Sequence, residues 1–191
     1  MWTITMKDVA ILGTTAAFCG LFLLFIVDIT STPTQQAQQA SASSVMHAQS
    51  KRAKEKARFE RERFFLAATM WGEARGEGRL GMGYVGHVIK NRASTGFRGK
   101  SIEAVVLRDR QFSCWNKNDP NHGKLSLAYL ERLQGKDKQD WDDAKRIAAG
   151  ILRGSVDYTR GALHYHTTGI RPFWEKEYVK VAVLKHHVFF R

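Results

Sequence analysis

Residues 64–71, FFLAATMW, are apolar around nearly the whole circumference of a helix. Phe64, Phe65, Ala68 and Trp71 lie along one side, and Leu66 and Met70 extend the apolar surface to the next. A helix that is hydrophobic all round has to be buried. Other elements must therefore wrap around this one, and it becomes the axis of the fold. The run ends in MWGEARGEGRLG, where Gly76 and Gly78 are expected to stop the helix. Two glutamates, Glu73 and Glu77, sit where the chain breaks.

The elements that follow are mostly helical. Met82, Val85 and Ile89, with Tyr84 and Val88, recur at helical spacing and predict a helix over Leu80 to Arg92. Ser101 can cap a short helix in IEAVVLRD. RQFSCWNKNDPNHG reads as a long polar loop with buried aromatics. Leu125 to Gln134 predicts another helix, and WDDAKRIAAGILRG, starting near Asp140, an amphipathic one that stops at Gly154. The period then changes: GALHYHT and VKVAVLKHHVFF are short, β-rich and suited to pairing. Helices first and a small β element late make residues 64–191 an α+β, helix-dominated domain.

The N-terminal third divides into three parts. In residues 1–29, Val9 to Val27 is a 19-residue run without a charge, reaching about 28 Å as a helix, near the hydrocarbon thickness of a bilayer. Lys7 precedes it, and no further Lys or Arg appears until Lys51, so the positive-inside rule predicts an N-terminus-in anchor with the rest of the chain on the extracytoplasmic side. A cleaved signal peptide is the rival reading, with Ala40-Ser41-Ala42 as its small-x-small site. The first half of the run is rich in Gly, Thr and Ala. Its composition resembles the releasable anchors of signal-arrest-release lysis enzymes of phages, and small residues also serve helix packing in membranes. Residues 30–50, rich in Gln, Ala, Ser and Thr, read as a flexible linker. Residues 51–63 read as a charged lead-in helix, with Lys51/Glu55 and Arg58/Glu62 at i,i+4 spacing.

Of the formal charge of +12, residues 64–191 carry +9, so the folded part is itself basic. Such a domain suits polyanionic partners, among them an anionic cell-wall polymer. The chain lacks zinc-finger spacing, an RNP-like run and a Gly-rich phosphate loop, which argues against nucleic acid as partner. Cys19 and Cys114 are the only cysteines and do not form a disulfide framework. They read as two unpaired, half-buried thiols. Were the anchor to leave the bilayer, Cys19 could reach Cys114 and pair with it in an oxidising periplasm.

Glu73 falls in the last turn of the buried helix, at the negative end of its dipole, where an ionised carboxylate is disfavoured. Met70 and Trp71 add partial desolvation in the same direction. A carboxylic acid kept protonated is what glycosidic cleavage needs to protonate a leaving oxygen. The bland reading is a structural ion pair with Arg75, Arg79 or Arg92. Glu77, one turn further, reads as a structural hydrogen-bonder.

WGEARGE, HVIKNRA, QFSCW, ALHYH, RPFW and the closing His-x-Phe of HHVFF follow in order over residues 64–191. In this the chain resembles the cell-wall hydrolase family typified by spore cortex-lytic enzymes of the SleB type. The resemblance implies a lysozyme-like helical fold with a small β element. It also implies cleavage of peptidoglycan between N-acetylmuramic acid and N-acetylglucosamine, by a lytic transglycosylase or muramidase. The family's catalytic acid maps to Glu73. One carboxylate suffices when the muramoyl 6-hydroxyl closes onto C1, and neither cofactor nor metal is called for.

Gln111, Phe112, Ser113 and Trp115 match the family's QFS-W loop, where the aromatics could stack on sugar faces and Gln111 could hold an acetamido group. Core support for a long loop is their plain alternative. Tyr165 and His166 match the strand motif beside the family's cleft, Trp174 lies in the same region, and His187 matches a closing histidine of structural role. Lys185 stands where relatives tend to carry glycine, a departure that bears on the last turn. The anchor in place of a wall-binding module points to a secreted lysis enzyme rather than a spore enzyme.

Two rival readings remain. His164-x-His166 on a strand shares one face and, with His186-His187 and Glu73, resembles the ligand spacing of a zinc amidase or peptidase. No HExxH accompanies it, and such a site needs three ligands and an open position. The other is a membrane-tethered wall-binding protein without catalysis.

Overall fold

The computed structural model describes residues 33–191. They divide between Lys54 and Glu55 into two units, and the second, Glu55–Arg191, contains the candidate site. The Val9–Val27 anchor and Cys19 lie outside the described residues. Among the described residues no helix is long and apolar enough to cross a membrane.

Helix α1 runs over Pro33–Ala74. Residues 33–50, expected to be a flexible linker, are therefore helical. Their Ala and Gln are good helix formers, no glycine falls between Pro33 and Gly72, and the one proline of the segment stands at the first helical position, where its missing N–H does no harm. The charged segment 51–63 continues without a break into the apolar run, and Arg58 pairs with Glu62 at 3.4 Å. A 3₁₀ turn, Arg75–Glu77, follows, and Gly78 takes φ 73°, a backbone conformation that strongly favours glycine.

Helix α2, Gly78–Thr95, is longer at both ends than its apolar period indicates and stops at Gly96 with φ 75°. Ser101 caps α3, Ile102–Val106, by accepting a hydrogen bond from the Ala104 N–H. The helix expected over Leu125 to Gln134 shrinks to α4, Leu127–Leu130, capped by Ser126. Gly135, at φ 55°, then opens α5, Gly135–Leu152, several residues ahead of Asp140. α2 packs along α5.

Leu66, Met70 and Trp71 of α1 are fully buried against Met82, Val85 and Ile89 of α2 and Trp141, Ala144 and Ile151 of α5. Each large apolar side chain so buried contributes on the order of 1.5–3 kcal/mol. The buried helix is thus the axis of the core, as its composition requires.

Strands β1 (His164–Thr167), β2 (Lys180–Leu184) and β3 (His187–Phe190) form an antiparallel sheet in the order β1-β3-β2. His164 stands opposite Phe190, Tyr165 opposite Phe189 and His166 opposite Val188. Alternation puts Tyr165, His187 and Phe189 on the inner face, where Phe189 packs with Val88 and Tyr84. His164, His166 and Phe190 take the outer face. The β2–β3 turn places Lys185 at φ 46°, which glycine adopts more easily. The lysine keeps its place by donating from Nζ to the Glu77 carbonyl at 2.6 Å.

Candidate active site

Glu73 occupies the last turn of α1, half-buried, where the backbone carbonyls run out of partners. No arginine neutralises it. Arg75 lies over the Trp71 ring at 4.1 Å and donates to the Trp71 carbonyl and to Asn121 Oδ1. Arg79 faces Asp143 at 3.7 Å, and Arg92 donates to the Leu163 carbonyl at 2.7 Å. The structural ion-pair reading of Glu73 therefore fails for all three arginines.

Neutral donors surround the carboxyl group instead. Oε1 accepts from the backbone N–H of Cys114 at 2.9 Å and from the Ser113 hydroxyl at 3.2 Å. The Tyr165 hydroxyl points at Oε2 from 3.4 Å. Burial, followed by the charge of Glu73, pushes the Tyr165 phenol well above its usual range, so it remains a donor. The QFS-W loop and the first strand thus converge on the end of the buried helix. Ser113 is exposed, leaving an approach from solvent.

Gly72 sets how closely the loop approaches. A Cβ there would stand 2.7 Å from Cys114 Cβ and 3.0 Å from its Sγ. In Gly72→Ala the loop must move away and take the Cys114 N–H from Glu73. We expect a loss of about 1–3 kcal/mol, read by thermal denaturation as a Tm lowered by about 2–12 °C. A parent-like Tm would show that the loop yields freely.

Glu77 and His187 join the same region. Glu77 ends the 3₁₀ turn and packs onto Gly81, where a Cβ would overlap its side chain. Its Oε2 is buried without a hydrogen-bond partner among the described residues, so this oxygen does not show the bonding role expected of it. His187 meets Tyr165 edge-on at 5.4 Å. Burial holds its imidazole below the usual range, although Glu77 and Glu73 pull the other way. The HHVFF motif signalled this histidine, but its nearness to both glutamates needed the sheet.

The remaining sequence candidates lie elsewhere. Phe112 is 1% exposed within the main core, with the Arg92 guanidinium 5.4 Å from its ring centroid, so it cannot stack on a sugar. Burial lowers Arg92 itself to about 10. Gln111 Oε1 faces Arg92 Nη1 at 3.5 Å. Trp115 donates to Thr69 Oγ1 at 2.9 Å and leans on Phe65, which braces the loop.

His166 and Trp174 are on the sheet's outer face, away from Tyr165 and Glu73. His166 stacks on Phe190, and Trp174 contacts both His164 and His166. Burial, with Arg92 and Arg98 nearby, brings the His164 imidazole down to about 4. The two histidines do share a face, as the zinc reading requires. Among the described residues, however, no group of three or more His, Cys, Asp or Glu comes together to hold a metal. Cys114 is fully buried rather than half-buried, and burial raises its thiol's pKa strongly. Pairing with Cys19 would require the loop to open.

Residues 76–190 match the family described as Cell Wall Hydrolase, a span that begins just after Glu73. No curated protein matches the chain significantly. Among solved structures, the chain resembles the catalytic domain of the Bacillus cereus SleB protein, with 22% identity and a TM-score of 0.52 over 69% of this chain and 91% of that one. It also resembles the catalytic domain of the germination-specific lytic transglycosylase SleB from Bacillus anthracis. There the identity is 21% and the TM-score 0.50, over 68% of this chain and 93% of the other. At these identities the likeness is one of fold, and it matches the helix-dominated α+β architecture with its small sheet.

Proposed function

The chain belongs to the Cell Wall Hydrolase family, and from that premise we propose that it cleaves the glycan strand of peptidoglycan between N-acetylmuramic acid and N-acetylglucosamine, with Glu73 as general acid and then base. The observation that carries this reading is a half-buried carboxyl group at a helix end, free of any arginine and held by three neutral donors.

The protonated Glu73 gives its proton to the glycosidic oxygen as the C1–O bond breaks, and the N-acetylglucosamine unit leaves with a free hydroxyl. The carboxylate so formed accepts hydrogen bonds from the Cys114 N–H and from the Ser113 and Tyr165 hydroxyls, which stabilises it where charge develops. Glu73 then takes the proton of the muramoyl 6-hydroxyl as that oxygen closes onto C1. The product is a 1,6-anhydro ring, and the enzyme regains its starting protonation state. One carboxylate serves both steps, unlike the paired carboxylates of two-acid glycosidases.

Mass spectrometry of the fragments released from purified sacculi by the full chain tests this. Anhydromuropeptides are expected. Reducing N-acetylmuramic ends would replace the cyclising step by attack of water, and peptide fragments without glycan cleavage would refute the reading. In this scheme the uncharged Val9–Val27 segment anchors the domain on the extracytoplasmic side, where its substrate lies. The Gly- and Thr-rich first half of that segment supports a releasable anchor and a role in cell lysis.

A further inference from the structure

The sheet's outer face bears a cleft of about 520 Å³ between Arg171 and Lys180. We propose that it docks the peptide stem of peptidoglycan, apart from Glu73 and its partners. The proposal rests on peptidoglycan being the substrate, and on three features of the cleft.

The first is its position. Tyr178 and Phe190 contribute to the cleft wall, and behind them lie the imidazoles of His164, 4.0 Å from the Tyr178 ring, and His166, 5.1 Å from Phe190. This is the face opposite Tyr165, His187 and Phe189. A ligand here does not compete with a glycan at Glu73.

The second is charge. Arg171, Lys176 and Lys180 border the cleft and enter no ion pair among the described residues, while Glu175 stands among them. Glu175 Oε2 lies 4.0 Å from His166 Nε2, beyond hydrogen-bond reach, and that nitrogen is buried without a hydrogen-bond partner among the described residues. Three cations and one carboxylate complement a ligand with several carboxylates and an ammonium group. A peptide stem containing a diamino acid has that chemistry. A phosphodiester polymer carries only negative charge along its backbone, and Glu175 would repel it.

The third is apolar surface. Phe173 is 88% exposed at the rim, beside Pro172. Methyl groups of alanine residues in a stem can pack there, and the volume suits a peptide of a few residues.

The test uses the full chain with Glu73→Gln, so that digestion does not intrude, on two solid phases: intact sacculi freed of linked polymers, and glycan strands stripped of their stems. Combining Arg171→Ala, Phe173→Ala and Lys176→Ala should lower retention on intact sacculi about tenfold and leave retention on stem-free strands unchanged. Soluble stem peptide should displace the unsubstituted cleft from sacculi, and added salt should weaken the attraction. Equal loss on both phases, no loss on either, or displacement by a soluble phosphodiester polymer but not by stem peptide would overturn the proposal. The competition experiment needs no cleft variant, so misfolding of the triple variant does not obscure the answer. With Glu73 intact, the cleft variant should still cut stem-free strands. If the parent cuts no glycan at all, the proposed reaction fails while stem binding can still be measured.

Discussion

In the Glu73→Gln variant, release of muropeptides from purified sacculi is expected to fall by about 10³-fold, the scale of a lost general acid. The amide has the size of the carboxyl group. Its oxygen can still accept from the Cys114 N–H and the Ser113 hydroxyl, and its nitrogen can face the Tyr165 hydroxyl. Stability should therefore change by no more than about 1 kcal/mol, and retention on sacculi should persist. What disappears is the transferable proton. A variant that digests as fast as the parent would end the proposal for Glu73. A parent that binds sacculi without releasing fragments would favour a non-catalytic wall-binding protein.

Phe112→Ala separates two readings of one loop. If the ring stacked on a sugar, its loss would raise KM and leave Tm in place. Its position in the main core predicts the reverse. Removing a buried phenylalanine typically loses about 3–5 kcal/mol, and here it also takes away the ring beneath the Arg92 guanidinium. The Tm should fall by about 6–20 °C. Activity should fall with the folded population and with the loop that carries Ser113 and Cys114. A variant that melts like the parent but needs more substrate would return Phe112 to the sugar-binding surface.

How far the residues could be read in advance differed by position. The place of Glu73 at the helix end was legible because its setting is local: an apolar helix, its last turn and the glycines beyond it. The pairing of His164 with His166 on one face was equally local, since strands alternate. That this face is the outer one was not, because it depends on Phe189 packing against Val88 and Tyr84 from α2. For Phe112 and Trp115 the sequence left sugar stacking and core support both open, and only the packed loop shows one in the core and the other hydrogen-bonded to Thr69. Segment 33–50 misled in the opposite sense. Its Ser and Thr suggested a spacer, while Ala and Gln without glycine sustain a helix.

From the order of its residues alone, this chain is committed to a central buried helix, a late antiparallel sheet and an acid at the point where that helix ends. Helical and strand periodicities act over a few residues, so the sequence displays them directly. The partners of that acid lie 40, 41 and 92 residues further along, at Ser113, Cys114 and Tyr165. Their meeting depends on Gly72 admitting the loop and on the sheet presenting its inner face to α2. Those are consequences of close packing between distant segments, which no local pattern encodes.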